Sequence, residues 1–181
     1  WDLGTAARLA SLQRLDTRIS SLDFQPGGGF LLIGGWDGRI YRWRIGEDPS
    51  RSHRDHQKGL ERYSGHSSPI SGLSFHPFGR VFFSADWNGT LSAWLTYDSD
   101  LFAGRYDENI FGTRIFADDV IRTKARRQDK IALTELRCSA DGLSLVLATQ
   151  SGKIEWWSVR GFKQQGEVQA HKGLIYDLDV D

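Results

Sequence analysis

Hydrophobic and polar residues alternate along three segments of the chain, in a pattern that recurs without a gap. The segments cover residues 19–43, 70–94 and 133–157, and each has apolar residues at its first, fourth and sixth places. Those residues are Ile19, Leu22, Phe24, Ile70, Leu73, Phe75, Leu133, Leu136 and Cys138. The closing residues are Trp43, Trp94 and Trp157. Alternation with a period of two residues is typical of half-buried β-strands, so the pattern predicts one strand unit repeated along the chain.

A turn pair that ends in glycine lies shortly before each closing tryptophan. The pairs are Asp37-Gly38, Asn88-Gly89 and Ser151-Gly152. A glycine loop that binds phosphate would instead open a helix, whose free N–H groups face the anion. Strand-forming residues follow Gly38, so the glycine-rich segment 26–43 is predicted to hold a two-residue hairpin turn and no phosphate loop.

The repeated unit consists of an apolar strand, a turn, a second strand, a tight turn and a third strand. Such a meander cannot cover its own apolar faces, so neighbouring units must stack on it. Residues 1–15 resemble the end of an earlier unit, and residues 170–181 resemble the start of a later one. The predicted fold is all-β, a β-propeller of four-stranded antiparallel blades, with about three full blades and partial flanking ones in an incomplete ring.

The spacing between the repeated segments varies, which indicates two insertions. These lie within residues 46–64 and 97–130, which are polar and charged. Loops of this kind project from the outer connections of blades, where extra length is tolerated. Residues 1–181 are therefore predicted to form one partial propeller domain that carries two insertions.

Composition narrows the classes of function. The chain has 23 basic and 23 acidic residues, so no net charge attracts nucleic acid or an anionic membrane. The single cysteine, Cys138, excludes an internal disulfide and a cysteine zinc cluster, and it favours a cytoplasmic location. His53 and His56 could bind a metal only if the fold brought in Asp55 or another ligand, and two histidines alone are weak evidence, so neither a metal nor another cofactor is predicted. The chain has no methionine, and its native start is expected to lie upstream.

These units resemble the WD-repeat β-propeller family, with Gly65-His66, the turn pair and the closing tryptophan as landmarks. Trp1-Asp2 matches the dipeptide that gives the family its name, whereas other residues follow the three closing tryptophans. The resemblance implies a buried hydrogen-bond chain of a histidine, a strand hydroxyl, a turn acid and the tryptophan. The matching residues are His66, Ser84, Asn88 and Trp94 in the second unit, Asp37 and Trp43 in the first, and Trp157 in the third. Such a network would stabilise a blade.

An alternative interpretation is a hydrolase-like catalytic set formed by His66, Ser84 and Asn88. A nucleophilic serine needs a glycine elbow and an oxyanion hole, and neither accompanies Ser84 in the sequence. No catalytic residue is therefore predicted.

The candidate binding residues lie at the tight turns. Trp36 and Trp87 precede the turn pair at the same place in their units, where the third unit has Gln150. Because indole rings at loop tips are costly to leave in water, one hypothesis is that they anchor a partner. The alternative is that each ring packs on the adjacent blade. Arg18 and Arg39 would add positive charge to the same face.

The sequence thus predicts a non-catalytic protein-interaction scaffold that presents loop residues to a protein or peptide. One alternative is a regulatory or sensor propeller of a larger kinase or nucleotide-hydrolysing signalling protein. Another is an enzymatic propeller with a metal or quinone in its channel, which would need clustered His, Asp or Glu that the aligned units lack. Neither a nucleic acid nor a membrane is expected as a partner.

Overall fold

The computed structural model describes residues 3–6, 12, 15–45, 60–96, 125–126 and 131–180. Its regular elements are β-strands, which form three four-stranded antiparallel sheets. Within these ranges no helix has the length and apolarity that crossing a membrane requires. The predicted all-β class with four-stranded antiparallel blades is confirmed.

Each sheet, called a blade below, holds its strands in sequence order. Blade 1 contains β1 (Ile19–Phe24), β2 (Phe30–Gly35), β3 (Arg39–Arg44) and β4 (Leu60–Ser64). Blade 2 contains β5 (Ile70–Phe75), β6 (Val81–Asp86), β7 (Thr90–Leu95) and β8 (Ala125–Arg126). Blade 3 contains β9 (Leu133–Cys138), β10 (Ser144–Thr149), β11 (Lys153–Ser158) and β12 (Lys163–Gln169). Each repeated segment therefore supplies the first three strands of one blade, and the fourth strand follows it.

The fourth strands of blades 1 and 2 come from the segments predicted as insertions. β4 lies at the end of segment 46–64, and β8 lies within segment 97–130. The other residues of both segments, including His53 and His56, lie outside the described residues, as does Trp1-Asp2.

The turn between the second and third strands differs from the predicted two-residue hairpin. The N–H of Gly38 donates to the carbonyl of Gly35 at 3.2 Å, and Gly38 has a φ of 75°. The same bond joins Gly89 to Asp86 and Gly152 to Thr149. The two central residues of the blade 1 turn are therefore Trp36 and Asp37. Glycine follows them as a left-handed bulge residue, which keeps the turn compatible with the twist of its strands.

Apolar side chains fill the space between neighbouring blades. Ile70 of β5 packs on blade 1 and Leu133 of β9 packs on blade 2, and both are fully buried. Ile19 occupies the same place in β1 and is 53% exposed, because no described sheet precedes blade 1. The first strand of a blade thus becomes buried only when another blade stands before it.

A hydrogen bond links the first strands of successive blades. Asp23 Oδ2 accepts from the backbone N–H of Phe75 at 2.6 Å, and Ser74 Oγ accepts from that of Cys138 at 2.9 Å. Asp23 and Ser74 occupy the same place in their units, so the contact recurs with a different acceptor.

A second recurring contact lies at the turns that follow these strands. Gln25 Nε2 donates to the carbonyl of Gly79 in the next blade at 2.9 Å. His76, at the same place in the next unit, hydrogen-bonds the backbone of Gly142, and its Nδ1 accepts from the N–H of Phe78. Both turn glycines have positive φ and lie against the side chain that bonds them.

Neutralising Asp23 should leave the protein at least as stable at pH 7. Burial raises the pKa of Asp23, although the Phe75 N–H and Arg137 favour its charged form. The stability that Asp23 contributes is therefore greatest below its ordinary pKa of 3.8 and falls as pH rises through the higher folded value. Asp23→Asn keeps an acceptor without a charge and should lack this pH dependence, which urea unfolding at pH 4 and pH 7 would show.

Asp23→Ala is the matched comparison, because it leaves the Phe75 N–H without its acceptor. We expect this variant to lose about 1–3 kcal/mol of unfolding free energy. Equal losses in the alanine and asparagine variants at pH 7 would contradict the role assigned to this bond.

Candidate binding face and buried hydrogen-bond network

A chain of buried hydrogen bonds joins four side chains of blade 2 and the connection that enters it. His66 Nε2 lies 2.6 Å from Ser84 Oγ, and Trp94 Nε1 donates to the same oxygen at 2.7 Å. His66 Nδ1 lies 2.8 Å from Asp86 Oδ2. A neutral imidazole with its proton on Nδ1 satisfies all of these bonds, because Ser84 then accepts from the indole and donates to His66. The network connects β6 and β7 to the segment before β5.

The acidic member of this network is Asp86 and not Asn88, which the family resemblance had indicated. Ser84 and Asp86 are two residues apart on β6 and face the same side, whereas Asn88 lies in the turn with its side chain exposed. Asp86 Oδ1 also accepts from the N–H groups of Asn88 and Thr90, at 3.0 and 2.8 Å. Burial raises the pKa of Asp86, but the bond from His66 and these N–H groups outweigh it and hold the pKa below its usual value.

Ser84, His66 and Asp86 follow the hydrogen-bond order of a hydrolase triad, but they are closed to a substrate. The side chains of His66 and Asp86 are 0% exposed, and Ser84 is equally buried. The Trp94 indole also donates to the serine oxygen, which holds the hydroxyl inside the blade and away from solvent. This arrangement stabilises the blade.

Blades 1 and 3 anchor their closing strands with other polar groups. In blade 1, the hydroxyl of Tyr41 donates to Asp37 Oδ2 at 3.1 Å, and Trp43 packs in an apolar cluster. In blade 3, Trp157 Nε1 donates to Glu155 Oε2 at 3.0 Å. Tyr41 and Glu155 occupy the same place in their units, so a polar residue there compensates for the apolar residue at the strand-hydroxyl position.

Cys138 lies half-buried against the apolar cluster between blades 2 and 3. Burial and the nearby Asp141 and Asp23 raise the pKa of its thiol to about 12. A thiol that stays protonated is a poor nucleophile and metal ligand. Among the described residues, no three His, Cys, Asp or Glu side chains are grouped to hold a metal ion.

Trp36 and Trp87 are the first central residues of equivalent turns. Their exposed fractions are 51% and 45%. The N–H of Trp36 donates to the Arg18 carbonyl at 2.9 Å, and that of Trp87 donates to the Pro69 carbonyl at 3.1 Å. Each turn therefore lies beside the connection that enters its own blade. We call this end of the blades the turn face, and it comprises residues 16–18, 35–39, 65–69, 86–89, 131–132, 149–153 and 170–174.

Blade 3 makes the same turn without an aromatic side chain. The N–H of Gln150 donates to the Ala132 carbonyl at 2.9 Å, in the place of the bonds made by Trp36 and Trp87. The bond uses backbone atoms alone, so it does not depend on the side chain at this position. The indoles of Trp36 and Trp87 are therefore not needed to form the turns.

The two arginines predicted for this face have different surroundings. The Arg18 guanidinium lies 5.7 Å from the centre of the Trp36 ring, within range of a cation–π interaction. Arg39 forms an ion pair with Asp37 at 3.2 Å, and 49% of its side chain remains exposed. The structure thus brings Arg18 and Trp36 together, and it joins Arg39 to the acid of its own turn.

Two stretches of the chain, residues 9–44 and 57–94, match the family described as WD40: WD domain, G-beta repeat. The chain belongs to the WD-repeat family. The resemblance inferred from the repeated turn pair and closing tryptophan is thus confirmed. The first matched stretch covers the first three strands of blade 1, and the second covers β4 and most of blade 2.

The similar proteins are WD-repeat relatives that are much longer than this chain. The Periodic tryptophan protein 2 homolog of Schizosaccharomyces pombe is 31% identical over 156 residues, which cover 84% of the chain and 17% of the relative. The mouse protein of the same name is 29% identical over 115 residues, 64% of the chain and 10% of the relative. Human Serine-threonine kinase receptor-associated protein is 34% identical over 80 residues, 43% of the chain and 20% of the relative.

Proposed function

We propose that this WD-repeat chain acts without catalysis, as part of an interaction platform that binds a protein or peptide on its turn face. The observation that carries the proposal is that Trp36 and Trp87 are about half exposed where Gln150 forms the same turn. Indole rings bury a large area at little cost in side-chain entropy, so they are effective anchors at interfaces. We also propose a cytoplasmic location, because a chain with one cysteine forms no internal disulfide that would need an oxidising compartment.

The turns of blades 1 and 3 are rigid, because each packs on the segment that follows the fourth strand of its blade. A Cβ atom at Gly38 would lie 3.0 Å from the carbonyl oxygens of His66 and Ser68. Gly152 faces the carbonyls of His171 and Gly173 in the same way. Since backbone packs directly on backbone, the side chains at these turns are presented in a fixed geometry, and a partner binds with little loss of entropy in the platform.

The name of one relative supports the proposal that the partner is a protein. The name of the human relative says that it associates with a serine-threonine kinase receptor, and that relative matches the chain over 43% of its length. Because the chain spans 20% of that relative, its particular partner is not carried over to this chain.

Replacing both tryptophans by glutamine, the residue that blade 3 uses, should weaken partner binding at least about tenfold. The unfolding free energy should change by no more than about 0.5 kcal/mol, because both rings lie at the surface and the turn is formed by backbone bonds that glutamine retains. Quantitative comparison of proteins that co-purify with the full-length wild type and with Trp36→Gln/Trp87→Gln would measure the first effect. Thermal unfolding of both would measure the second.

Phe78→Gln provides the matched control for this double variant. Phe78 is an exposed aromatic residue in the turn between β5 and β6, at the other end of blade 2. Its loss should leave co-purification unchanged. Unchanged binding in the double variant, or a large fall in its melting temperature, would contradict a binding role for the indoles.

A further inference from the structure

The charge beside Trp36 indicates the chemistry of the partner. We infer that the turn face takes an acidic peptide segment that also carries apolar side chains, an inference that rests on the proposed function. A carboxylate of the segment pairs with Arg18, and its apolar side chains contact the indoles of Trp36 and Trp87.

Arg18 is available to an incoming anion. Its side chain is exposed beside the Trp36 ring, and no carboxylate within the described residues forms an ion pair with it. The carboxylate of Asp37, in the adjacent turn, is already engaged by the Arg39 guanidinium, the Arg39 N–H and the Tyr41 hydroxyl. The turn therefore leaves one cation next to one exposed indole, and a carboxylate with a neighbouring apolar side chain complements both.

The position of Arg18 also sets the orientation of the bound peptide across blades 1 and 2. Pro69 and Ala132 occupy the equivalent places in blades 2 and 3, where their carbonyls accept the same backbone bond from the turn. The fold therefore does not require a cation at this place. An acidic residue of the partner lies over blade 1, and the apolar part of the segment continues towards Trp87 of blade 2.

The other charges of the turn face favour a peptide over a nucleic acid. Lys153 forms an ion pair with Glu167 at 2.5 Å, and Asp16 lies exposed two residues before Arg18. Lys172 is also exposed on this face, but it follows blade 3, whereas Arg18 precedes blade 1. A polyphosphate backbone needs several unneutralised cations in a row, and the chain as a whole has no net charge. Arg18 and Lys172 belong to the surroundings of blades 1 and 3 and so do not form such a row, and the single cation beside the Trp36 indole suits a single carboxylate.

The test is selection of a random peptide library, displayed on phage, against the immobilised full-length protein. Peptides enriched on the wild type are expected to contain an excess of Asp or Glu together with apolar residues. Arg18→Glu should remove that excess and weaken the best peptide at least tenfold in fluorescence anisotropy. Replacing the acidic residue of that peptide by lysine should restore binding to Arg18→Glu.

Arg160→Glu is the matched control, because Arg160 is exposed in the connection between β11 and β12, at the other end of blade 3. It should bind the selected peptides as the wild type does. Selected peptides without an excess of acidic residues, or equal losses of peptide affinity in Arg18→Glu and Arg160→Glu, would overturn the acidic-peptide inference. Neither result would contradict the proposed interaction platform. Tighter Arg18-dependent binding of a short oligouridylate than of the peptides would also overturn it.

The same selection on Trp36→Gln/Trp87→Gln separates this inference from the proposed function. Loss of enrichment in that variant, together with Arg18 dependence, supports both. Enrichment that survives the loss of both indoles, or the absence of any enriched peptide on the wild type, would overturn the platform itself.

Discussion

Asp86→Ala is expected to lower the free energy of unfolding by about 3–5 kcal/mol, because it removes one partner of a buried charge-assisted network. The substitution leaves His66 Nδ1 and the N–H groups of Asn88 and Thr90 without their acceptor inside blade 2. The Trp94 ring lies in the same network, so its fluorescence reports the loss directly. Urea unfolding of the full-length protein, followed by tryptophan emission, would measure the effect.

Asn88→Ala is the control that decides whether Asp86 or Asn88 is the network member at this turn. The Asn88 side chain is exposed, and its contribution to the network is a backbone N–H that alanine retains. The expected change is within about 0.5 kcal/mol. A loss at Asn88 as large as the loss at Asp86 would restore the assignment made from the family resemblance.

Gly72→Ala is expected to destabilise the contact between blades 2 and 3 by about 1–3 kcal/mol, as overpacking does in a close-packed interior. A Cβ atom at Gly72 would lie 2.6 Å from the backbone nitrogen of Leu136 and 2.8 Å from its Cβ atom. Neither atom is the end of a flexible side chain, so β5 and β9 must separate to admit the methyl group. Amide hydrogen exchange at Cys138, whose N–H bonds Ser74, should accelerate in parallel.

Gly173→Ala supplies the comparison for this overpacking. Gly173 has no atom within 4 Å of an added Cβ atom, and its φ lies outside the left-handed region. Its substitution should leave both the unfolding free energy and the exchange rate of Cys138 unchanged. If Gly72→Ala behaves in the same way, the close approach of β5 and β9 does not limit the stability of the pair.

The strands and their grouping could be predicted because each repeated segment contains its own signals. Alternating apolar residues specify strands such as β5, and the glycine after each tight turn specifies where the chain reverses. The fourth strands lie outside the repeats. Leu60–Ser64 follows a long charged segment, so no local pattern separated this strand from the insertion before it.

Two details of the site were misjudged from sequence for different reasons. Strand periodicity predicts that Asp86 faces the same side as Ser84, because the two residues are two positions apart. The family resemblance instead indicates the turn residue Asn88. The turn type depends on which carbonyl the glycine N–H reaches, and an Asp-Gly pair is compatible with either arrangement. The contacts between blades, such as Asp23 with Phe75, join residues far apart in sequence and have no local signature.

The positions of Trp36 and Trp87 could be inferred from their common place before the turn pair, and the structure exposes both rings there. Arg18 is a different case. Its proximity to Trp36 arises because the backbone bond at 2.9 Å brings the entering connection against the turn. Binding by these residues stays a prediction, which the co-purification and peptide-selection experiments test.

The four hydrogen bonds described between successive blades have the same direction along the chain. Asp23, Ser74, Gln25 and His76 are side chains of the earlier blade, and each meets backbone of the later one. During synthesis, a completed sheet therefore presents finished docking groups to residues that leave the ribosome after it. Assembly can advance in the order of translation, because each new sheet docks on side chains of the sheet that was made before it.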